Sequence, residues 1–190
     1  MKRRIGILLV GASLILCTQD PVSPPDPNEI IWTKAQSPII LDDKFVVEKE
    51  QLLTIEAGVE IRLKSSTHYI DFGETDIDLN DFNYDSLVVG MLHIKGRINA
   101  IGTPSEPIRF SRSGNTGHWG CIFIDSTAQE CELAHCHLAN GYAVMSLKTP
   151  LFACGMLAFH SAYGEISHCE FTGSHYMNLF FDGRANPLIA

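Results

Sequence analysis

The chain has 190 residues, 45% hydrophobic and 19% charged, with a formal net charge of −8. That length and composition suit one domain with a sizeable core and exclude a disordered chain. An acidic surface repels phosphate backbones, so the charge argues against a nucleic-acid partner.

Lys2-Arg3-Arg4 precedes an apolar run over residues 5–16. A bilayer span needs roughly 20 residues, so this shorter run after a basic start reads as an export signal over residues 1–17. Cys17 follows directly. The segment Leu14-Ile15-Leu16-Cys17 resembles a bacterial lipobox, although Leu16 stands where that motif carries Gly, Ala or Ser. The resemblance implies lipidation at Cys17 and a place in the cell envelope, at the outer membrane, the cell surface or in the periplasm. Pro21, Pro24, Pro25 and Pro27 then favour extended polyproline geometry, so residues 18–31 read as a Pro-rich spacer.

Residues 32–190 read as one all-β domain. Helical periodicity is almost absent, and short apolar runs are broken by Gly, Pro, Asp and Ser. Ile39-Ile40-Leu41, Phe45-Val46-Val47 and Leu52-Leu53-Thr54-Ile55 are predicted strands, and Ala57-Gly58 a turn. Val59, Ile61 and Leu63 alternate with Glu60 and Arg62, which places three apolar side chains on one face. Residues 64–86 break the pattern with Asp71, Glu74, Asp76, Asp78, Asp81 and Asp85, and read as an acidic insertion. The alternation resumes through Leu92, Ile94, Ile98 and Ala100. Strands are expected again at Pro107-Ile108-Arg109-Phe110-Ser111, at Trp119-Gly120-Cys121-Ile122-Phe123-Ile124 and at Leu179-Phe180-Phe181.

Two stretches superpose. Glu132-Leu133-Ala134-His135-Cys136-His137-Leu138 and Glu165-Ile166-Ser167-His168-Cys169-Glu170-Phe171 share Glu, an aliphatic residue, His, Cys and a closing large apolar residue, at a spacing of 33. A partial third copy, Asn186-Pro187-Leu188-Ile189, sets Ile189 23 residues after Ile166. Self-similarity at such a period is the mark of stacked repeats. The unit is read as 23 residues, with 10 more looped out within residues 142–155 of the earlier copy. Strands this short form no stable sheet alone; stacked coil on coil, each pairs in parallel with its counterpart and its apolar face is covered.

The chain resembles the right-handed parallel β-helix, or pectin-lyase-like, proteins of exported bacterial lipoproteins. Leu53-Thr54-Ile55-Glu56-Ala57-Gly58-Val59-Glu60-Ile61 resembles the family's opening segment. Gly96, Gly102-Thr103-Pro104, Pro107-Ile108-Arg109-Phe110-Ser111, Trp119-Gly120-Cys121-Ile122 and the His-Cys copies carry the rest. The resemblance implies a single-stranded right-handed β-helix of about 23 residues per coil. It leaves function open, since the fold hosts lyases, hydrolases and adhesins. Ala190 falls inside a repeat, so the sequence reads as part of a longer protein.

Candidate sites are few. Asp76, Asp78 and Asn80 match the first half of a D-x-D-x-N calcium loop, and Asp81, Asn83 and Asp85 offer further oxygens. The Gly expected after Asn80 is missing and Leu87 stands where a Glu is required, so a solvated acidic loop is the favoured reading. Calcium is the cofactor candidate here, and copper or zinc on paired imidazoles is weighed against a stacked polar ladder; no cofactor is otherwise assigned. His135, His137 and His168 are the imidazole candidates, with His137 facing outward if Cys136 and Leu138 face the core. Trp119, Tyr142, Tyr163 and Tyr176 fall at or near turns, where a ring could cover the apolar face of a sugar or cap the core. Glu132 and Glu165 recur in register and read as solvated. Cys121, Cys131, Cys136, Cys154 and Cys169 form no C-x-x-C motif. Cys136 and Cys169 read as a stacked core column, and Cys131 with Cys154 is one pairing an exported chain could oxidise.

No catalytic residue is assigned, and the family's Asn-Thr-Asp and Gly-His-Gly hydrolase motifs are missing. The expected function is non-catalytic: a lipid-anchored β-helix presenting a rigid face to a glycan or a cell-surface protein. The alternative is a polysaccharide lyase or glycoside hydrolase.

Overall fold

The computed structural model describes residues 26–67, 90–142, 144–146, 151–153, 155–175 and 177–190. The expected leader and most of the expected proline-rich spacer lie outside these residues, as does nearly all of the acidic segment 64–86.

The described chain is a right-handed parallel β-helix of three sheets. The first sheet stacks β1 (Glu29–Trp32), β4 (Leu52–Ile55), β7 (Arg97–Ile101), β10 (Cys131–Ala134), β15 (Gly164–Ser167) and β18 (Leu188–Ile189). The second stacks β2 (Ile39–Leu41), β5 (Glu60–Leu63), β8 (Ile108–Arg112), β11 (Cys136–Ala139) and β16 (Glu170–Thr172). The third stacks β3 (Lys44–Val47), β6 (Met91–Ile94), β9 (Ile122–Ile124), β14 (Gly155–His160) and β17 (Met177–Asp182). Every neighbouring pair within these sheets is parallel. The first strand takes in Glu29, Ile30 and Ile31, ahead of the Trp32 boundary expected from sequence.

Register converts the repeat into columns of like residues. In the first sheet Trp32, Ile55, Ala100, Leu133, Ile166 and Ile189 pair in succession. The second sheet stacks Ile39, Ile61, Phe110, Leu138 and Phe171. The third stacks Val47, Ile94, Ile124, Phe159 and Phe181. Apart from the exposed last members Phe181 and Ile189, these columns meet in one continuous core. Alternation along each strand supplies one inward column for each outward one, so a coil buries its apolar face only against the coils beside it.

Coil length varies as the outward loops do. Leu52 follows Glu29, and Leu188 follows Glu165, by 23 residues. Glu132 to Glu165 takes 33, and the extra residues carry the antiparallel hairpin β12 (Val144–Ser146) and β13 (Leu151–Ala153), inside the stretch expected to loop out. The preceding step, Asn99 to Glu132, also takes 33. Leu52 to Arg97 takes 45, across the acidic insertion.

Left-handed residues bend the coil, and they too stack. His135 (φ 49) precedes β11 and His168 (φ 52) occupies the same corner one coil on. Asn140 (φ 63) lies level with Gly173 (φ 61), and Ser161 (φ 51) with Gly183 (φ 65). A single left-handed residue turns the chain sharply, and Asn and Gly tolerate that conformation best.

The third sheet differs on its outer side. Met91, Cys121, Phe123 and Ala158, with the partly buried Phe180, form a second apolar cluster there. Its strands therefore read as continuous apolar runs, as strands buried on both faces do.

Candidate functional site

The outer face of the first sheet carries two parallel columns. Arg97, Glu130 and Tyr163 stand in one. Thr54, Asn99, Glu132, Glu165 and Leu188 stand in the other. Between them lies a cleft of ≈ 320 Å³ lined by Glu130, Cys131, Glu132, Tyr163, Gly164, Glu165 and Leu188. Gly164 lets β15 approach the core closely: a Cβ there would stand 2.7 Å from Phe159 Cε1 and 2.9 Å from the Cys131 carbonyl. Tyr163 is 62% exposed, the most open of the large apolar side chains among the described residues.

The cleft is electronegative. Arg97 Nη1 lies 3.5 Å from Glu130 Oε2, while Glu132 and Glu165 have no ion-pair partner among the described residues. In-register parallel strands set Glu132 and Glu165 roughly 4.8 Å apart at the backbone. Asn99, next to Glu132 in the column, has a buried Oδ1 with no hydrogen-bond partner.

A charged column runs along the second sheet through Glu60, Arg109, His137 and Glu170. Cys136 and Leu138 are fully buried, so His137 faces outward as expected from alternation. Arg109 Nη1 meets His137 Nδ1 at 2.9 Å, and His137 Nε2 lies 3.6 Å from Glu170 Oε2. Arginine has no lone pair to offer, so it donates to Nδ1 and the imidazole proton sits on Nε2, toward Glu170.

His135 and His168 stack with ring centroids 4.7 Å apart and planes inclined by 26°. Imidazole lone pairs lie in the ring plane. Two nearly parallel rings therefore aim them side by side rather than at one point, which suits a ladder and not a chelate. Among the described residues no group of three or more His, Cys, Asp and Glu could hold a metal ion. The calcium candidates Asp76, Asp78, Asn80, Asp81 and Asp85 lie outside the described residues, as do the lipidation candidate Cys17, Cys154 and Tyr176.

Two His–Asp pairs at the end of the third sheet are not evident from the local sequence. His93 Nε2 meets Asp125 Oδ2 at 3.0 Å, and His160 Nδ1 meets Asp182 Oδ2 at 3.0 Å. His93 is 4% exposed and its Nδ1 has no partner. Burial lowers the His93 pKa, aided by Lys95 and Lys44 and opposed by Asp125. Burial pushes Asp125 up, but hydrogen bonds from His93, the Thr127 amide and Ser126 outweigh it and leave the carboxyl below its usual range. A signal does exist. Ile124-Asp125, Phe159-His160 and Phe181-Asp182 each place a titratable residue straight after a core residue, and alignment on that residue stacks all three.

Of the aromatic candidates, Trp119 and Tyr142 are buried and Tyr163 alone stands open among the described residues. Trp119 Nε1 donates to the Ala139 carbonyl at 2.7 Å, so the indole caps the core. Cys131 carries a free thiol, and Cys154, its expected partner, lies outside the described residues. No protein-family profile, no curated protein and no solved structure matches this chain.

Proposed function

We propose that the protein is a glycan-binding β-helix and that the cleft on the outer face of the first sheet is its binding site. The observation carrying this reading is the open Tyr163 ring at the start of β15, beside the carboxylates of Glu132 and Glu165, which have no ion-pair partner among the described residues. A tyrosine ring covers the apolar face of a sugar at small entropic cost, and carboxylates accept hydrogen bonds from hydroxyl or ammonium groups. The cleft's negative charge favours neutral or amino-bearing glycans and disfavours uronic-acid polymers. In this reading the chain is displayed in the cell envelope on a lipid at Cys17, with the proline-rich segment as spacer.

A glycan array holding neutral, amino-bearing and uronic-acid oligosaccharides tests the assignment. Retention on the first two classes is expected, and retention on uronic acids alone, or on nothing, would overturn it. Turnover is the second reading. Glu132 and Glu165 are one strand spacing apart at the backbone, which lets their carboxyl groups reach the ~5–5.5 Å separation of retaining glycosidases. New reducing ends in the bound oligosaccharides would establish it, and intact ligand would dismiss it.

A further inference from the structure

Cys136 and Cys169 each follow a corner histidine, and the pairing of His137 with Glu170 sets them level in adjacent coils. Parallel strands hold such Cα atoms about 4.8 Å apart, inside the ~4.4–6.8 Å range that a disulfide spans. Cys136 is fully buried and Cys169 half-buried, and both are free thiols. Cys136 Sγ lies 3.3 Å from the Ala100 carbonyl and 3.5 Å from that of Ala134. Cys169 Sγ lies 3.3 Å from the Ser167 carbonyl and 3.5 Å from that of Leu133, on the coil that carries Cys136.

We propose that Cys169 is a site of thiol–disulfide exchange with small-molecule disulfides and that Cys136 resolves the adduct into a covalent staple between coils. The Cys169 thiolate attacks one sulfur of a disulfide RSSR; that S–S bond breaks, a mixed disulfide forms on Cys169, and RS⁻ leaves to take up a proton. Cys136 then gives its proton to solvent and attacks the Cys169 sulfur, closing Cys136–Cys169 and expelling a second RS⁻. Two protein thiols are oxidised and one external disulfide is reduced to two thiols.

The roles follow from the surroundings. Cys169 is the one solvent reaches. The neighbouring Cys136 thiol favours its thiolate and outweighs burial, lowering its pKa to about 7. The thiolate is the attacking species, and the best attacker has a pKa near the ambient pH. Cys136 is held up by its Cys169 neighbour and by burial, so it acts only after Cys169 is capped. Cys131 is the internal control: burial raises its pKa to about 11.

The test incubates the folded full-length protein with oxidised glutathione at neutral pH, then quenches with acid, alkylates and maps peptides by mass. Glutathionylated Cys169 is expected first, followed by a Cys136–Cys169 linkage, with Cys131 still reduced. In Cys136→Ala the Cys169 adduct should accumulate without resolving. The inference is overturned if Cys131 reacts as fast as Cys169, or if the linkage never forms. A second readout uses the wild type alone. The rate of Cys169 with 4,4′-dithiodipyridine should rise with pH around a midpoint near 7, and a midpoint near that of an ordinary thiol, about 8.5, would overturn it.

Discussion

His135 and His168 lie ring on ring with centroids 4.7 Å apart, each on a corner where the backbone turns left-handed at φ 49 and φ 52. The same bend is thus made twice with the same side chain, one coil above the other. The preceding coil makes the turn at Gly102, whose amide donates to Ala134 as that of His135 donates to Ser167.

A left-handed L-residue costs roughly 1–2 kcal/mol, and a β-branched one is the least tolerant. His135→Val should therefore be about 1–2 kcal/mol less stable than His135→Gly in urea titrations, although Gly is the worse residue in ordinary backbone. Equal stabilities would show that the corner is not held left-handed in solution.

Alternation in β10 separates two adjacent residues. Leu133 is fully buried in the core column, whereas Glu132 faces the cleft. Leu133→Ala should cost about 2–5 kcal/mol by denaturant unfolding, and Glu132→Ala within about 0.5 kcal/mol. The reverse order would mean that the strand's register is shifted by one residue.

Gly96 closes the turn between β6 and β7 where two carbonyls converge. A Cβ there would stand 2.2 Å from the Glu48 carbonyl oxygen and 2.3 Å from that of Gln51. Both obstacles are backbone, so neither can swing away. Gly96→Ala should cost at least about 1–3 kcal/mol, read as a fall in the thermal midpoint. An unchanged midpoint would contradict the close approach.

Acid should weaken the fold in two stages. The His93 pKa is lowered in the folded state by burial, so below the unfolded value of about 6.5 the unfolded chain binds the extra proton. Stability is full above that pH and declines as pH falls toward the depressed folded value. Asp125, also lowered, adds a second loss below its ordinary value of about 3.8. His93→Gln, which keeps a donor for Asp125, should remove the first stage and leave the second. A stability–pH curve for the variant with the first decline intact would contradict this assignment.

Much of this architecture is legible in the residues themselves. The 33-residue spacing of Cys136 and Cys169 and the 23-residue spacing of Ile166 and Ile189 are the actual strand registers, because only like residues stack into a core. Alternation also places His137 outward. Trp119 and Tyr142 show where sequence reasoning falters: a ring at a turn can fold over the core end or into solvent, and the choice rests on distant partners such as the Ala139 carbonyl. The His93–Asp125 pair joins residues 32 apart, on strands whose lateral pairing appears only once coil lengths are known. Tyr163 has the opposite history. Its register with Glu130, rather than anything local, places it beside the carboxylates.

The most direct measurement is a calorimetric titration of the best neutral or amino-bearing oligosaccharide from the array against wild type, Tyr163→Ala and the second-sheet control His137→Gln. Loss of a central aromatic contact should weaken binding at least about tenfold in Tyr163→Ala, with the control unchanged. Binding by Tyr163→Ala as tight as wild type, or loss confined to His137→Gln, would contradict the placement of the site on the first sheet.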